Sequence, residues 1–252
     1  VVLHNGSPVE MPWADGVSGI LEAYLGGQGV GTAEARILFG EANPCGKLAE
    51  TVPYKLSDNP SYLNFPGDGD IVEYKEGIFV GYRYYDKKEM PVRYPFGYGL
   101  SYTTFTYSNL KLDKTAMKDT DTLTVSVDVT NSGSREGKEI VQLYVADKTG
   151  AANRPVRELK NFVKVSLAPG ETKTVQMELD KRSFAWYNVK LHDWYAASGT
   201  YEIQIGKSSR DIVLCASVEL TTEVEVPMDI HKNTTMGQLL SSPKTAPVLQ
   251  EA

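Results

Sequence analysis

Between Tyr102 and Leu220 apolar residues recur at every second position, and that two-residue period confines this half of the chain to half-buried β-strands. Leu123, Val125, Val127 and Val129 alternate with Thr, Ser and Asp; Val175, Met177 and Leu179 alternate again, as do Tyr201, Ile203 and Ile205 after Gly199-Thr200. Asn131-Ser132-Gly133 and Ala168-Pro169-Gly170 supply turns between runs. With the apolar stretches at 140–145, 159–165, 184–187 and 212–214 added, seven or so short strands are present. That pattern predicts an all-β antiparallel sandwich of immunoglobulin or fibronectin-III type.

The first ~55 residues follow a different rule, and the change of period marks a domain boundary. Val1 to Leu3 reads as a buried strand before the Asn5-Gly6-Ser7-Pro8 turn, and Val17 to Tyr24 as a second strand of the same parallel sheet. Gly31 to Phe39 carries Ala33, Ile37 and Leu38 at helical spacing, with Gly40 where a C-cap belongs. Asn43-Pro44-Cys45-Gly46 is a turn, and Leu48 to Val52 a further short run ahead of Pro53. These elements are the tail of an α/β sandwich or doubly wound domain. Too few strands are present to complete its sheet, and the chain opens without methionine inside an apparent strand, so a fragment is expected. The expected fold class is therefore mixed: the C-terminal part of an α/β sandwich followed by an all-β sandwich.

The expected division is 1–55 for the α/β part, 56–101 for a connector, 102–222 for the sandwich and 223–252 for a C-terminal tail. The connector is irregular and crowded with tyrosine, including Tyr62, Tyr74, Tyr82, Tyr84, Tyr85, Tyr94 and Tyr98. Rings remove large areas from water, so this stretch is expected to pack across one domain and cement it to the next. In the tail, Asn233 or Thr234 could cap a helix that Pro243 and Pro247 interrupt.

A net charge of -6 and scattered Lys and Arg argue against nucleic acid as a partner. The longest apolar run, Gly77 to Tyr85, falls well short of the ~18 residues of a membrane span and is broken by Gly81 and Arg83. Two cysteines, Cys45 and Cys215, make no disulfide framework, and a reducing, cytoplasmic compartment is expected. His4, His192 and His231 have no ligand spacing, so no metal site is expected.

Several long phrases stand in fixed order. They are His4-Asn5-Gly6-Ser7-Pro8-Val9-Glu10-Met11-Pro12-Trp13, Gly26-Gly27-Gln28-Gly29 with the run from Leu38 to Leu48, the run from Val80 to Asp86, and the run from Tyr94 to Phe105. With the run from Gly137 to Val145 and Ser208-Ser209-Arg210-Asp211-Ile212, they resemble bacterial β-glucosidases of glycoside hydrolase family three over nearly the whole chain. The resemblance implies a catalytic barrel, an α/β sandwich and a fibronectin-III-like domain, the last two being represented here, and implies no cofactor. It places the aspartate nucleophile on the barrel and the acid/base glutamate on a sandwich loop upstream of His4. Retaining hydrolysis needs two carboxyl groups about 5–5.5 Å apart, and neither matching motif occurs here. No catalytic residue is therefore expected in this chain, which would buttress a barrel carried by the same precursor or a companion chain and meet carbohydrate only in the assembled enzyme.

Asp68, Asp70, Glu73 and Glu76 form the densest acidic cluster and are the candidates for a rim touching sugar; a solvated connector is the favoured reading. Glu76 is also the candidate for a buried ion pair with Arg83. Glu10 reads as a packing or turn-stabilising residue, and Trp13, Trp186 and Trp194 as core or interface rather than sugar platforms. Gly26 to Gly31 lacks the lysine and hydroxyl of a nucleotide loop and reads as close backbone packing or a helix entry. The competing functions are a non-catalytic module gripping carbohydrate or protein and a structural pair that mediates dimerisation, with a homo-oligomer as a further partner state.

Overall fold

The structure, a computed structural model of the chain, describes residues 1–228, 230–242 and 244–250. Its N-terminal part is small. Strands β1 (Val2–Leu3) and β2 (Leu21–Glu22) pair in parallel, Val2 opposite Leu21, and helix α1 (Val30–Leu38) follows. A short 3-10 turn, Ala14–Gly16, lies between the strands. Gly40 ends the helix with φ +78°, and its N–H donates to the Ile37 carbonyl. Around these elements the buried apolar residues are Met11, Ala14 and Val52, with Leu3, Ile20, Leu48 and Tyr94 against them, and no residue of α1 is buried. An amphipathic helix with no buried face, beside a sheet of two strands, is an open structure.

The expected strand at Leu48 to Val52 is not one. Leu48 exchanges backbone hydrogen bonds with Tyr98 and Gly97, and Val52 bridges antiparallel to Tyr94. This segment pairs with the far end of the connector, and Pro53, which has no N–H to donate, stops the pairing. The connector also contains helix α2 (Tyr82–Lys87), which its irregular pattern did not announce.

The sandwich is built as its alternation dictates. One sheet holds β3 (Phe105–Leu112), a short strand β4 (Ala116–Lys118) goes to the other sheet, and β5 (Leu123–Asn131) returns beside β3. Then follow β6 (Gly137–Asp147), β7 (Glu158–Leu167) and β8 (Thr172–Leu179). Helix α3 (Lys181–Phe184) leads into a hairpin of β9 (Trp186–Asn188) and β10 (Asp193–Tyr195), and β11 (Gly199–Gly206) and β12 (Ile212–Thr221) close the domain. The sheets run β3-β5-β8 and β4-β12-β11-β6-β7, antiparallel except for the β12–β4 pair.

Every second residue of β5, from Leu123 to Val129, is fully buried, and these side chains meet Val141, Leu143, Val145, Ile203 and Ile205 of the facing sheet. Strand β6 departs from alternation: from Val141 to Ala146 both faces are buried. Its outer face lies under the connector.

The tail carries α4 (Met236–Ser241) and α5 (Ala246–Gln250). The cap of α4 is Thr235, whose hydroxyl accepts from the Gln238 N–H, rather than Asn233 or Thr234. Pro247 stands in the first turn of α5, where its missing N–H loses nothing; Pro243 lies outside the described residues.

Candidate functional site

Two regions of the connector carry the chemistry to be weighed: a seam against the sandwich and an exposed loop. The seam begins with Tyr82 of α2. Its ring stacks on Phe96 at 4.6 Å and meets Tyr144 of β6 edge-on at 6.2 Å, while its hydroxyl accepts from the Leu159 N–H at 2.8 Å. Tyr144 donates to Gln142 Oε1 at 2.6 Å, and Gln142 Nε2 donates to the carbonyls of Gly97 and Lys207. The aromatic crowding thus cements this half of the connector, as its composition implied. Arg210 donates to Asp86 at 2.7 Å and to the Met90 carbonyl at 2.8 Å.

Charged groups close the seam on both flanks. Lys47 Nζ lies 3.0 Å from Glu139, both nearly buried, and donates to the Gly99 carbonyl. Asn43 accepts from Ser101 Oγ and the Tyr102 N–H and donates to the Glu136 carbonyl. Arg154 donates to Asp147 at 3.1 Å, to the Phe184 carbonyl and to Glu158. Glu158 is also met by Arg83 at 3.7 Å and Lys160 at 3.6 Å. Burial alone would push the Glu158 carboxyl up; Lys160, Arg154 and Arg83 outweigh it and hold it below the usual range. Burial likewise pulls the Lys160 ammonium down. A carboxylate encircled by three cations is an ion-pair network, and its groups are occupied with one another.

The expected Glu76–Arg83 pair is therefore not formed. Arg83 turns to Glu158 on the sandwich, because α2 docks there and leaves the preceding turn outside. Half-buried Glu76 instead accepts from Asn64 Nδ2 at 3.3 Å. It lines a hollow of about 410 Å³ with Pro60, Phe79, Tyr84, Lys87 and Lys88.

Asp68 and Asp70 are exposed on the same loop, where Asp68 and Ile71 exchange backbone hydrogen bonds. Glu73 is exposed and ion-paired with Lys75 at 2.8 Å. Asp68 and Glu73 share a second hollow of about 340 Å³ with Leu63, Phe65 and Ile71, and Glu76 lines the first one, so the four carboxylates do not converge on one cavity. They can accept hydrogen bonds from hydroxyl groups at a rim. Among the described residues no three His, Cys, Asp or Glu side chains are grouped to hold a metal ion, and no helix is long and apolar enough to cross a membrane.

The other singled-out residues fall into place around this. Glu10 Oε1 accepts from the Leu56 N–H at 2.6 Å, tying the N-terminal part to the start of the connector. Gly29 caps the start of α1 without a side-chain bond, so the glycine-rich run is a helix entry. Trp13 is exposed, whereas Trp186 and Trp194 are half-buried in the β9–β10 hairpin, where they face Tyr195 and Tyr187 edge-on. The guanidinium of Arg182 sits 3.6 Å above the Trp194 ring and that of Arg154 5.5 Å from Trp186. Cys45 and Cys215 are free thiols. The ion-pair network was not anticipated from the sequence. Its one available signal was the density of charge at Arg154, Arg157, Glu158 and Lys160, at and just ahead of the start of a strand that otherwise reads as apolar.

Residues 1–102 match the Glycosyl hydrolase family 3 C-terminal domain, and residues 139–209 match the Fibronectin type III-like domain. The thermostable beta-glucosidase B of Acetivibrio thermocellus is 57% identical over 249 residues, covering 99% of this chain and 33% of that protein. An exo-alpha-(1->6)-L-arabinopyranosidase of Bifidobacterium breve is 47% identical over 221 residues, 87% of this chain and 29% of that one. Among solved structures, a beta-glucosidase of Bifidobacterium adolescentis superposes with a TM-score of 0.89 at 42% identity, covering 98% of this chain and 36% of its own. A beta-glucosidase of Kluyveromyces marxianus in complex with glucose reaches 0.82 at 42% identity, covering 87% and 26%. The chain spans about a third of the length of these relatives. The chain therefore belongs to glycoside hydrolase family 3, carrying that family's C-terminal domain and the fibronectin type III-like domain after it.

Proposed function

We propose that this chain is the supporting C-terminal part of a retaining β-glucosidase that removes terminal β-D-glucosyl residues, with nucleophile and acid/base supplied by residues outside it. The observation that carries the reading is the 57% identity to a beta-glucosidase over 99% of the chain but only 33% of that enzyme. The chain's own contribution is mechanical. The seam locks α2 and the Tyr94–Tyr98 ribbon onto the sandwich, so the N-terminal elements are presented on a rigid base to the part that completes their sheet. The four rim carboxylates, Asp68, Asp70, Glu73 and Glu76, are read as surface groups. The boundaries 1–55, 56–101, 102–222 and 223–252 describe the parts of this supporting unit, and the two free thiols accord with a reducing, cytoplasmic setting.

The test is hydrolysis of a chromogenic β-D-glucoside by the chain alone and by a polypeptide that carries it together with the upstream portion. Activity only in the longer form is expected. Hydrolysis by the chain alone would overturn the assignment of the catalytic groups, and Asp68, Asp70, Glu73 and Glu76 would be the first to replace. Because relatives 46–47% identical are named as L-arabinopyranosidases, a chromogenic α-L-arabinopyranoside belongs in the same assay.

A further inference from the structure

Exposed apolar side chains are unevenly placed in this molecule. The sandwich shows them singly, at Phe162 or Val189, as ordinary surfaces do. Residues 61–80 show them together: Leu63, Phe65, Ile71, Val72, Tyr74 and Ile78 all face solvent, Leu63 at 91% and Tyr74 at 87% of full exposure. Leu63, Phe65 and Ile71 line one hollow, and a large exposed apolar patch on a folded surface marks a contact site.

The loop is shaped, not collapsed. Asn59 Oδ1 accepts from the Ser61 N–H and hydroxyl, and the Phe65 N–H donates to the Ser61 carbonyl. Asp68 and Ile71 bond each other through both backbone groups, and further turns close at Tyr74–Gly77 and Glu76–Phe79. Gly67 holds φ +112°, and a Cβ there would stand 2.4 Å from the Ile71 carbonyl oxygen. These bonds hold the backbone while the side chains project outward. The connector's hydrogen bonds and ring contacts with the sandwich are made from Tyr82 onward, and Leu63, Phe65, Ile71, Val72 and Tyr74 stay exposed. Asp68, Asp70, Glu73 and Lys75 are interspersed, as in the polar rim of an apolar interface.

We infer that residues 61–80 are the docking surface for the catalytic portion of the longer polypeptide, a deepening that rests on the function proposed above. The occupant follows from length. Relatives about three times as long place some two thirds of their chain outside the matched region, and the loop stands between two segments that are already engaged. Phe65 and Tyr74 alone bring ~150–250 Å² each, a large share of the ~600–1,500 Å² typical between domains of one chain.

Hydroxyl-radical footprinting of the chain alone and of the longer polypeptide tests this. Oxidation of Leu63, Phe65 and Tyr74 is expected to fall at least tenfold in the longer form, while Val189 oxidises equally in both. Equal oxidation at the three loop residues would overturn the proposal. Protection that already appears in the chain alone and grows with its concentration would name a second copy as occupant and equally overturn it. In the longer polypeptide, the combined Leu63→Ser, Phe65→Ser and Tyr74→Ser replacement should restore loop oxidation at Ile71 and Val72 while circular dichroism stays that of the parent. Hydrolysis is scored separately. Activity with an unprotected loop removes this surface and leaves the enzymatic reading standing, and a protected loop without hydrolysis does the reverse.

Discussion

Gly97 shows how tightly the seam is made. It holds φ +80°, and a Cβ placed there would lie 2.1 Å from Gln142 Oε1. Gln142 cannot give way, since it is buried and bonded to Tyr144, Gly97 and Lys207. Gly97→Ala should therefore cost about 1–2 kcal/mol for the left-handed backbone and about 1–3 kcal/mol for overpacking, read as a lowered urea midpoint. Glu158 makes a pH prediction. Its folded-state pKa lies below the unfolded value near 4.5, so between the two the unfolded chain holds more protons and stability rises with pH. That stability is present above the unfolded pKa and is lost as pH falls through the folded one. Glu158→Gln should flatten the acid limb of a stability-versus-pH curve below pH 4.5, and an unchanged limb would show that other carboxylates govern it.

Within the sandwich domain, the β9–β10 hairpin is weakly held by its own ladder, because its two strands are three residues each. Its order comes from edge-to-face ring pairs and from Arg182 over Trp194. Arg182→Ala should remove about 1 kcal/mol and shift Trp194 fluorescence toward that of a wetter ring, leaving the far-ultraviolet spectrum of the sandwich in place. Strand β6 carries a sequence signal of another kind. Its run Ile140-Val141-Gln142-Leu143-Tyr144-Val145 is apolar at every position but Gln142, as a strand covered on both sides should be. The cover is the connector, and the seam is the reason that β6 abandons the two-residue period from Val141 to Ala146.

At the scale of the whole molecule, the two ends differ in completeness. The sandwich closes around a single large core, whereas the N-terminal part centres on three buried apolar residues. In the chain alone, amides of β5, β6 and β11 should exchange only by global unfolding, and those of β1, β2 and α1 on the order of a hundredfold faster. Uniform exchange would show that the N-terminal part is stabilised as fully as the sandwich. Much of this architecture could be read beforehand. The alternation announced the sandwich, and Gly40 the helix end, because both depend on neighbours along the chain. The long shared phrases pointed to the family and to catalytic groups lying elsewhere. The sequence predicts a further short strand at Leu48–Val52, and Glu76 as the partner of Arg83, because each looks satisfied by what lies close in sequence. Both were decided by which distant surface the connector met: Tyr94–Tyr98 took the run, and Glu158 took the arginine. Local pattern sets which face of an element is apolar. Only the assembled structure decides what covers that face, because a hydrogen bond or ion pair goes to the best partner within reach in space, and here such partners lie 45 to 120 residues away.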